Sequence, residues 1–314
     1  MMTWLTKLGP LAGLAAVVTL FAVLRPAEFA TGGNAEIMLL QTAVVATAAL
    51  GMTLVIVSGG IDLSVGAQIA LATVTLASLL ARGWSPLAAA LATVAGGAAC
   101  GCLIGGLVTG LRLPPFIVTL GMWGGLRGLA KGLAGETMVV APTTWLNDLL
   151  MALGPDRRWQ LVPPGVWLTI LLAGSVAVLL QLTRFGRHVV AVGSSEPTAR
   201  LCGVAVDRVR ILVYAIASAL AAVAGVLQYA YLTVGDPTTA LGMELDIIAA
   251  VVIGGASLAG GRGSVAGTLV GALIMTVVAN GCIKLDLPNW VQEIVTGVII
   301  VAAVALDRMR RGDE

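Results

Sequence analysis

The chain alternates long apolar tracts with brief polar breaks. Ten tracts read as candidate bilayer-crossing helices: 8–24, 37–58, 64–81, 86–110, 115–131, 165–183, 211–233, 247–260, 263–282 and 290–306. A spanning helix needs roughly 20 apolar residues, so the shorter tracts set the count at about ten. The first has Lys7 ahead of it and no small-x-small cleavage site, and it reads as a retained span rather than a leader. The long tract from Ile37 to Leu80 is interrupted near its middle by Gly59-Gly60-Ile61-Asp62-Leu63-Ser64-Val65-Gly66. A glycine pair stops one helix, an aspartate follows, and a serine restarts helix. In hydrocarbon such a break leaves N–H and C=O groups unpaired, at several kcal/mol each, unless protein or water supplies partners. A broken span that carries a carboxylate is therefore a candidate working part, not a passive anchor.

Composition agrees: 58% of the 314 residues are hydrophobic and only 11% charged, with mean hydropathy +1.00. Soluble domains carry about a quarter charged residues. The 40 glycines follow no Gly-X-Y period and fall inside apolar tracts, where small residues let helices approach closely. Gly97, Gly101 and Gly105 form one ladder, Gly106 and Gly110 a second pair, and Gly263, Gly267 and Gly271 a third. Packing within one subunit is the expected use, and a dimer seam the alternative. A net charge of +2, with basic residues confined to short loops, gives no reason to expect nucleic acid. Cys100, Cys102, Cys202 and Cys282 lie in or beside apolar segments and read as small reduced hydrophobes.

Lysine and arginine set the orientation. The loop 184–210 carries Arg184, Arg187, Arg200, Arg208 and Arg210 against Glu196 and Asp207, and the tail carries Arg308, Arg310 and Arg311. Both are expected to be cytoplasmic, as are both termini of a ten-span chain. Loops 132–164 and 234–246 are then expected outside, the latter with Asp236, Glu244 and Asp246 and no basic residue. Arg127 and Lys131 oppose the rule, and are expected to snorkel to the interface or border a water-filled mouth.

Three stretches carry a resemblance. The first is Gly51-Met52-Thr53-Leu54-Val55-Ile56 leading into Ser58 and the glycine break. The second is Thr183-Arg184-Phe185-Gly186-Arg187, then Ala191-Val192-Gly193 and Ala199-Arg200-Leu201-Cys202-Gly203-Val204. The third is Glu244-Leu245-Asp246 through Gly254-Gly255, with Ser257-Leu258 and Gly260-Gly261-Arg262-Gly263-Ser264. Together they resemble the ribose-type permease of bacterial ABC importers for monosaccharides, whose broader fold is shared by branched-chain amino-acid permeases. The likeness runs from about Ala35 to Leu306, and the loop 132–164 fits it poorly. It implies a single all-α polytopic membrane domain over 1–314, in the bacterial inner membrane. It implies three partners besides lipid: cytoplasmic ABC ATPases, a periplasmic sugar-binding protein, and a second permease copy, identical or paralogous. No Gly-x-x-x-x-Gly-Lys-[Ser/Thr] loop is present, so ATP is expected on partner subunits and no cofactor on this chain. The single histidine, His188, has no metal or hydrolase constellation around it, and no enzyme is expected.

The cytoplasmic loop has its own local logic. Ser194-Ser195-Glu196 precede Pro197, a helix start, and Gly203 gives a stop. A helix of about 196–202 is too short to stand alone and needs a partner surface. In the family this position looks like the coupling helix that docks on the ATPase, with Ala199 and Leu201 as apolar contacts and Glu196 and Arg200 fixing register. At the breaks, Gly59, Gly60, Asp62, Ser64, Gly260, Gly261 and Arg262 are candidate gate residues, and the two breaks, one with Asp62 and one with Arg262, are candidates to face each other. Asp62 reads either as a cap on the helix from Ser64 or as a charge on the path. Glu244 and Asp246 read either as caps or as contacts for the binding protein. Sequence leaves open an ion-coupled carrier using Asp62 or Asp246, and an ABC permease for a branched-chain amino acid or a furanose signalling molecule.

Overall fold

A computed structural model describes residues 2–312. Its elements are thirteen α-helices and two short 3-10 turns, with one isolated β-bridge among the described residues. In chain order the helices are α1 (Met2–Leu24), α2 (Pro26–Phe29), α3 (Gly32–Val57), α4 (Val65–Ala81), α5 (Pro86–Gly110), α6 (Pro115–Ala134) and α7 (Pro164–Leu182). They continue as α8 (Arg184–Ser194), α9 (Glu196–Leu201), α10 (Val206–Leu232), α11 (Met243–Ile253), α12 (Val265–Lys284) and α13 (Asn289–Gly312). Helices α3, α5, α7, α10 and α12 are long and apolar enough to cross a membrane; α1, α4 and α13 hold shorter apolar stretches.

Local chemistry sets these bounds. Proline opens α5, α6 and α7, where its missing N–H is not needed. Thr31, Thr183, Ser195 and Ser264 each accept an N–H three residues on, capping α3, α8, α9 and α12.

Helix α3 is the hub, buried without interruption from Ala46 to Val57. Glycines govern how closely its neighbours approach. On α5, a Cβ at Gly97, Gly101 or Gly105 would meet Ser218, Tyr214 or Ile211 of α10. On α12, Gly267 lies on Gly254, just past the end of α11, and Gly271 on Ala250 of α11, while Gly263, ahead of α12, lies on Val57. Those two ladders are therefore used inside the chain. Gly106 and Gly110 meet nothing within 4 Å.

One segment departs from the expected layout. After α10, Gly235 packs on Thr73 and Val74 of α4, but Ala240 packs on Gly66. From position 74 back to 66 is about 12 Å along a helix. Residues 234–242 thus dip alongside α4 into the bundle, and α11 begins there, its first turn preceded by Gly242 at φ 83°. Its 11 residues rise only about 16 Å, half a hydrocarbon core. Glu244 and Asp246 correspondingly lie in the first turn of α11, half-buried, rather than in a connecting loop, and Glu244 lies against Gly66. Side chains hold the loop in: Thr73 Oγ1 bonds both the N–H (3.2 Å) and the C=O (3.2 Å) of Asp236.

Candidate functional site

The two broken spans use the same stop. Gly59 N–H donates to Ile56 O and Gly60 N–H to Val55 O, both at 2.9 Å, with Gly59 at φ 81°. Gly255 N–H donates to Val252 O (2.9 Å) and Ala256 N–H to Val251 O (3.1 Å), with Gly255 at φ 91°. Each is a paired closure of the last helical carbonyls around a left-handed glycine. The freed backbone is then satisfied by protein. Gly261 N–H donates to Val57 O at 2.9 Å, joining one break to the other. Ile61 O accepts from Thr119 Oγ1 of α6 at 3.2 Å.

Asp62 is 3% exposed. Its Oδ1 accepts from the Ser64 N–H (2.8 Å) and Ser64 Oγ (2.5 Å), and its Oδ2 from Gln68 Nε2 (3.1 Å). Both oxygens therefore serve the start of α4, with Ser64 itself at the N-cap position. A backbone contact between the breaks runs through Val57 and Gly261. Gly193 of α8 completes the junction: a Cβ there would collide with Val57 O and sit 2.7 Å from Gly261 N. Beside it lies a cleft of about 530 Å³, lined by Val57, Leu180, Gln181, Arg187, Val190, Gly261, Arg262 and Gly263.

Helix α9 joins α8 through Ser195, which caps it by accepting from the Thr198 N–H. Arg200 bonds Asp207 at 2.6 Å and Glu196 at 3.1 Å, and Arg210 bonds Glu196 at 2.7 Å. Asp207 first, then Glu196, hold the Arg200 guanidinium above its already high ordinary pKa, so it stays charged. Gly203 at φ 82° ends the turn. The expected apolar pair divides: Leu201 is 90% exposed, but Ala199 is 4% exposed and packs inward. Two residues apart on a helix, they cannot share a face. The arginine network borders a second cleft with Val108, Thr109, Arg112, Leu113 and Pro115 from the α5–α6 turn.

Arg127 of α6 is a further correction. It does not snorkel; it is 6% exposed, and its Nη1 donates to Pro237 O (3.1 Å) and Thr239 O (2.6 Å) of the inward loop. Lys131, one turn on, is exposed. At the outer edge of the loop, Val139 and Gly235 exchange backbone hydrogen bonds of 2.8 and 2.9 Å, tying it to the long 135–163 connection. Sequence reasoning also passed over a glycine set on α6. Gly121, Gly124, Gly125, Gly128 and Gly132 are exposed and meet nothing within 4 Å. Their spacing of four is legible in the sequence alone.

The family described as branched-chain amino acid transport system / permease component matches residues 34–304. The ribose import permease protein of Escherichia coli K12 is 39% identical over 98% of this chain and 95% of its own length. That of Bacillus subtilis 168 is 37% identical over 97% and 93%. The fructose import permease protein of Rhizobium meliloti is 35% identical over 96% and 85%. No solved structure matches the chain. With several helices long and apolar enough to span, and with likeness over nearly its whole length, the chain belongs to this family of membrane permease components.

Proposed function

We propose that the chain is the membrane-spanning permease of a bacterial ABC importer and passes a monosaccharide, ribose or a close analogue, across the inner membrane. The observation that carries this is the near full-length identity with ribose and fructose import permeases. The same likeness argues against an ion-coupled carrier. It also favours a sugar over an amino acid, despite the family's general description. The chain performs no covalent chemistry of its own in this reading, and ATP is bound by its partners.

The finer topology follows from charge. With α8 and α9 cytoplasmic, α1, α3, α4, α5, α6, α7, α10, α11, α12 and α13 make ten crossings and both termini lie inside. The inward loop with α11 counts as one of the ten. The ATPase docks on α9, where Leu201 is exposed and Arg200, Glu196, Asp207 and Arg210 hold the short helix rigid. A push on α9 reaches α8 through Ser195, and through Gly193 the point where both breaks meet. The sugar-binding protein delivers at the opposite end, over the 135–163 connection. A second copy is the occupant for the open glycine face of α6, since the other two long ladders are already filled by this chain's own helices. The test is complementation. A bacterial strain lacking its own ribose permease, supplied with this chain and its partner subunits, should grow on ribose as sole carbon source. Failure to take up ribose or any other pentose or hexose would reject the reading.

A further inference from the structure

Near the inner end of the loop 234–242, three buried polar atoms have no partner: Nε and Nη2 of Arg127, and Oε2 of Glu244. The position of the guanidinium is fixed, because Nη1 is committed to the carbonyls of Pro237 and Thr239. Glu244 Oε2 lies against Gly66. Glu244 and Asp236 are the acids whose charge reaches Arg127, yet no ion pair joins Arg127 to either among the described residues. One turn earlier on the same face of α6, the indole N–H of Trp123 also lacks a partner. Free donors and a free carboxylate oxygen thus lie in electrostatic reach of each other at the start of a half-length helix, in a chain with few charges to spare.

The mixture of charges selects the ligand class. An anion would meet Glu244 and Asp236, and a cation would meet Arg127. A neutral hydroxyl suits both, since it accepts from a guanidinium and donates to a carboxylate. An indole beside them offers a flat apolar face of the kind that sugar C–H bonds pack on. We propose that Arg127 and Glu244 form a hydroxyl-recognition point where the permease itself holds a neutral sugar in transit, midway along the bundle. The proposal rests on the sugar-importer reading above. The three atoms are sealed in this structure, so the sugar reaches them when the loop hung from Arg127 shifts.

The experiment uses the full chain with its ATPase and binding-protein partners in proteoliposomes. Initial ATP-driven uptake is measured for D-ribose and for each monodeoxyribose, with the binding protein fully loaded. Wild type, Glu244→Gln and Arg127→Lys are compared, and melting temperatures confirm that each variant is folded. In wild type, one analogue should be carried about tenfold more slowly than ribose, the loss expected for a missing charge-assisted hydrogen bond. In Glu244→Gln, ribose itself should slow about tenfold while that analogue slows no further, so the discrimination disappears. Arg127→Lys, which keeps the charge but not the fork, should act in the same direction. Equal slowing of every sugar with discrimination retained would overturn the proposal. So would rescue of ribose uptake by the charge exchange Arg127→Glu with Glu244→Arg, which would reveal an ion pair made in another state. Absence of any ATP-driven sugar uptake by wild type would instead reject the importer reading.

Discussion

Gly193→Ala places one methyl group where α8 meets both breaks. The new Cβ would collide with Val57 O and crowd Gly261 N at 2.7 Å. Both are backbone atoms, so the clash cannot be relieved by rotating a side chain. Over-packing of this kind costs about 1–3 kcal/mol. Displacing Val57 O also weakens the 2.9 Å bond from Gly261 N–H, worth about 0.5–1.5 kcal/mol. Against this, Gly193 is the second-last residue of α8, so alanine there gains at most the helix-interior value of about 0.5–1 kcal/mol over glycine. The balance is a loss of about 2 kcal/mol. Gly174→Ala in α7 is the control. Nothing lies within 4 Å of its Cβ, so only the propensity gain of about 0.5–1 kcal/mol remains. Detergent-solubilised protein should therefore melt lower than wild type for Gly193→Ala, and no lower for Gly174→Ala. In proteoliposomes, Gly193→Ala should retain ATP hydrolysis by bound ATPase but lose sugar uptake, because the link from α9 to the breaks is displaced. A Gly193→Ala protein with unchanged melting temperature and full transport would refute the reasoning.

Three further outcomes are expected. Asp62→Asn should be mild, since an amide oxygen still accepts from Ser64, whereas Asp62→Leu should lose about 0.5–2 kcal/mol and lower melting temperature and uptake together; a stable Asp62→Asn protein without transport would show that the charge itself acts. Arg200→Glu with Leu201→Asp should abolish co-purification of the ATPase while the permease stays folded in the membrane, and undiminished co-purification would move the docking surface elsewhere. Gly128→Leu, in the open face of α6, should shift the solubilised protein from dimer to monomer in multi-angle light scattering; an unchanged dimer would place the seam on another helix.

Much of this architecture is written locally. Ser85-Pro86 opens α5, Ser195-Glu196-Pro197 opens α9, and Ser264 opens α12; caps and prolines act within a turn, so a sequence exposes them. The glycine stops at Gly59 and Gly255 are local in the same sense. The course of residues 234–242 is not. Asp236, Pro237 and Thr239 have the composition of an aqueous loop, and what draws them inside is contact with Thr73 and Arg127, distant in the chain. The burial of Arg127 is illegible for the matching reason: its carbonyl partners belong to that loop. Ala199 fails for a geometric reason, since a one-and-a-half-turn helix has one outward face and Leu201 takes it.

The most direct test of the central claim is uptake of radiolabelled ribose by proteoliposomes holding the permease, with and without its ATPase. The account predicts accumulation only when ATPase, loaded binding protein and ATP are all present, and none from a proton or sodium gradient alone. Gradient-driven uptake by the permease without ATPase would contradict it.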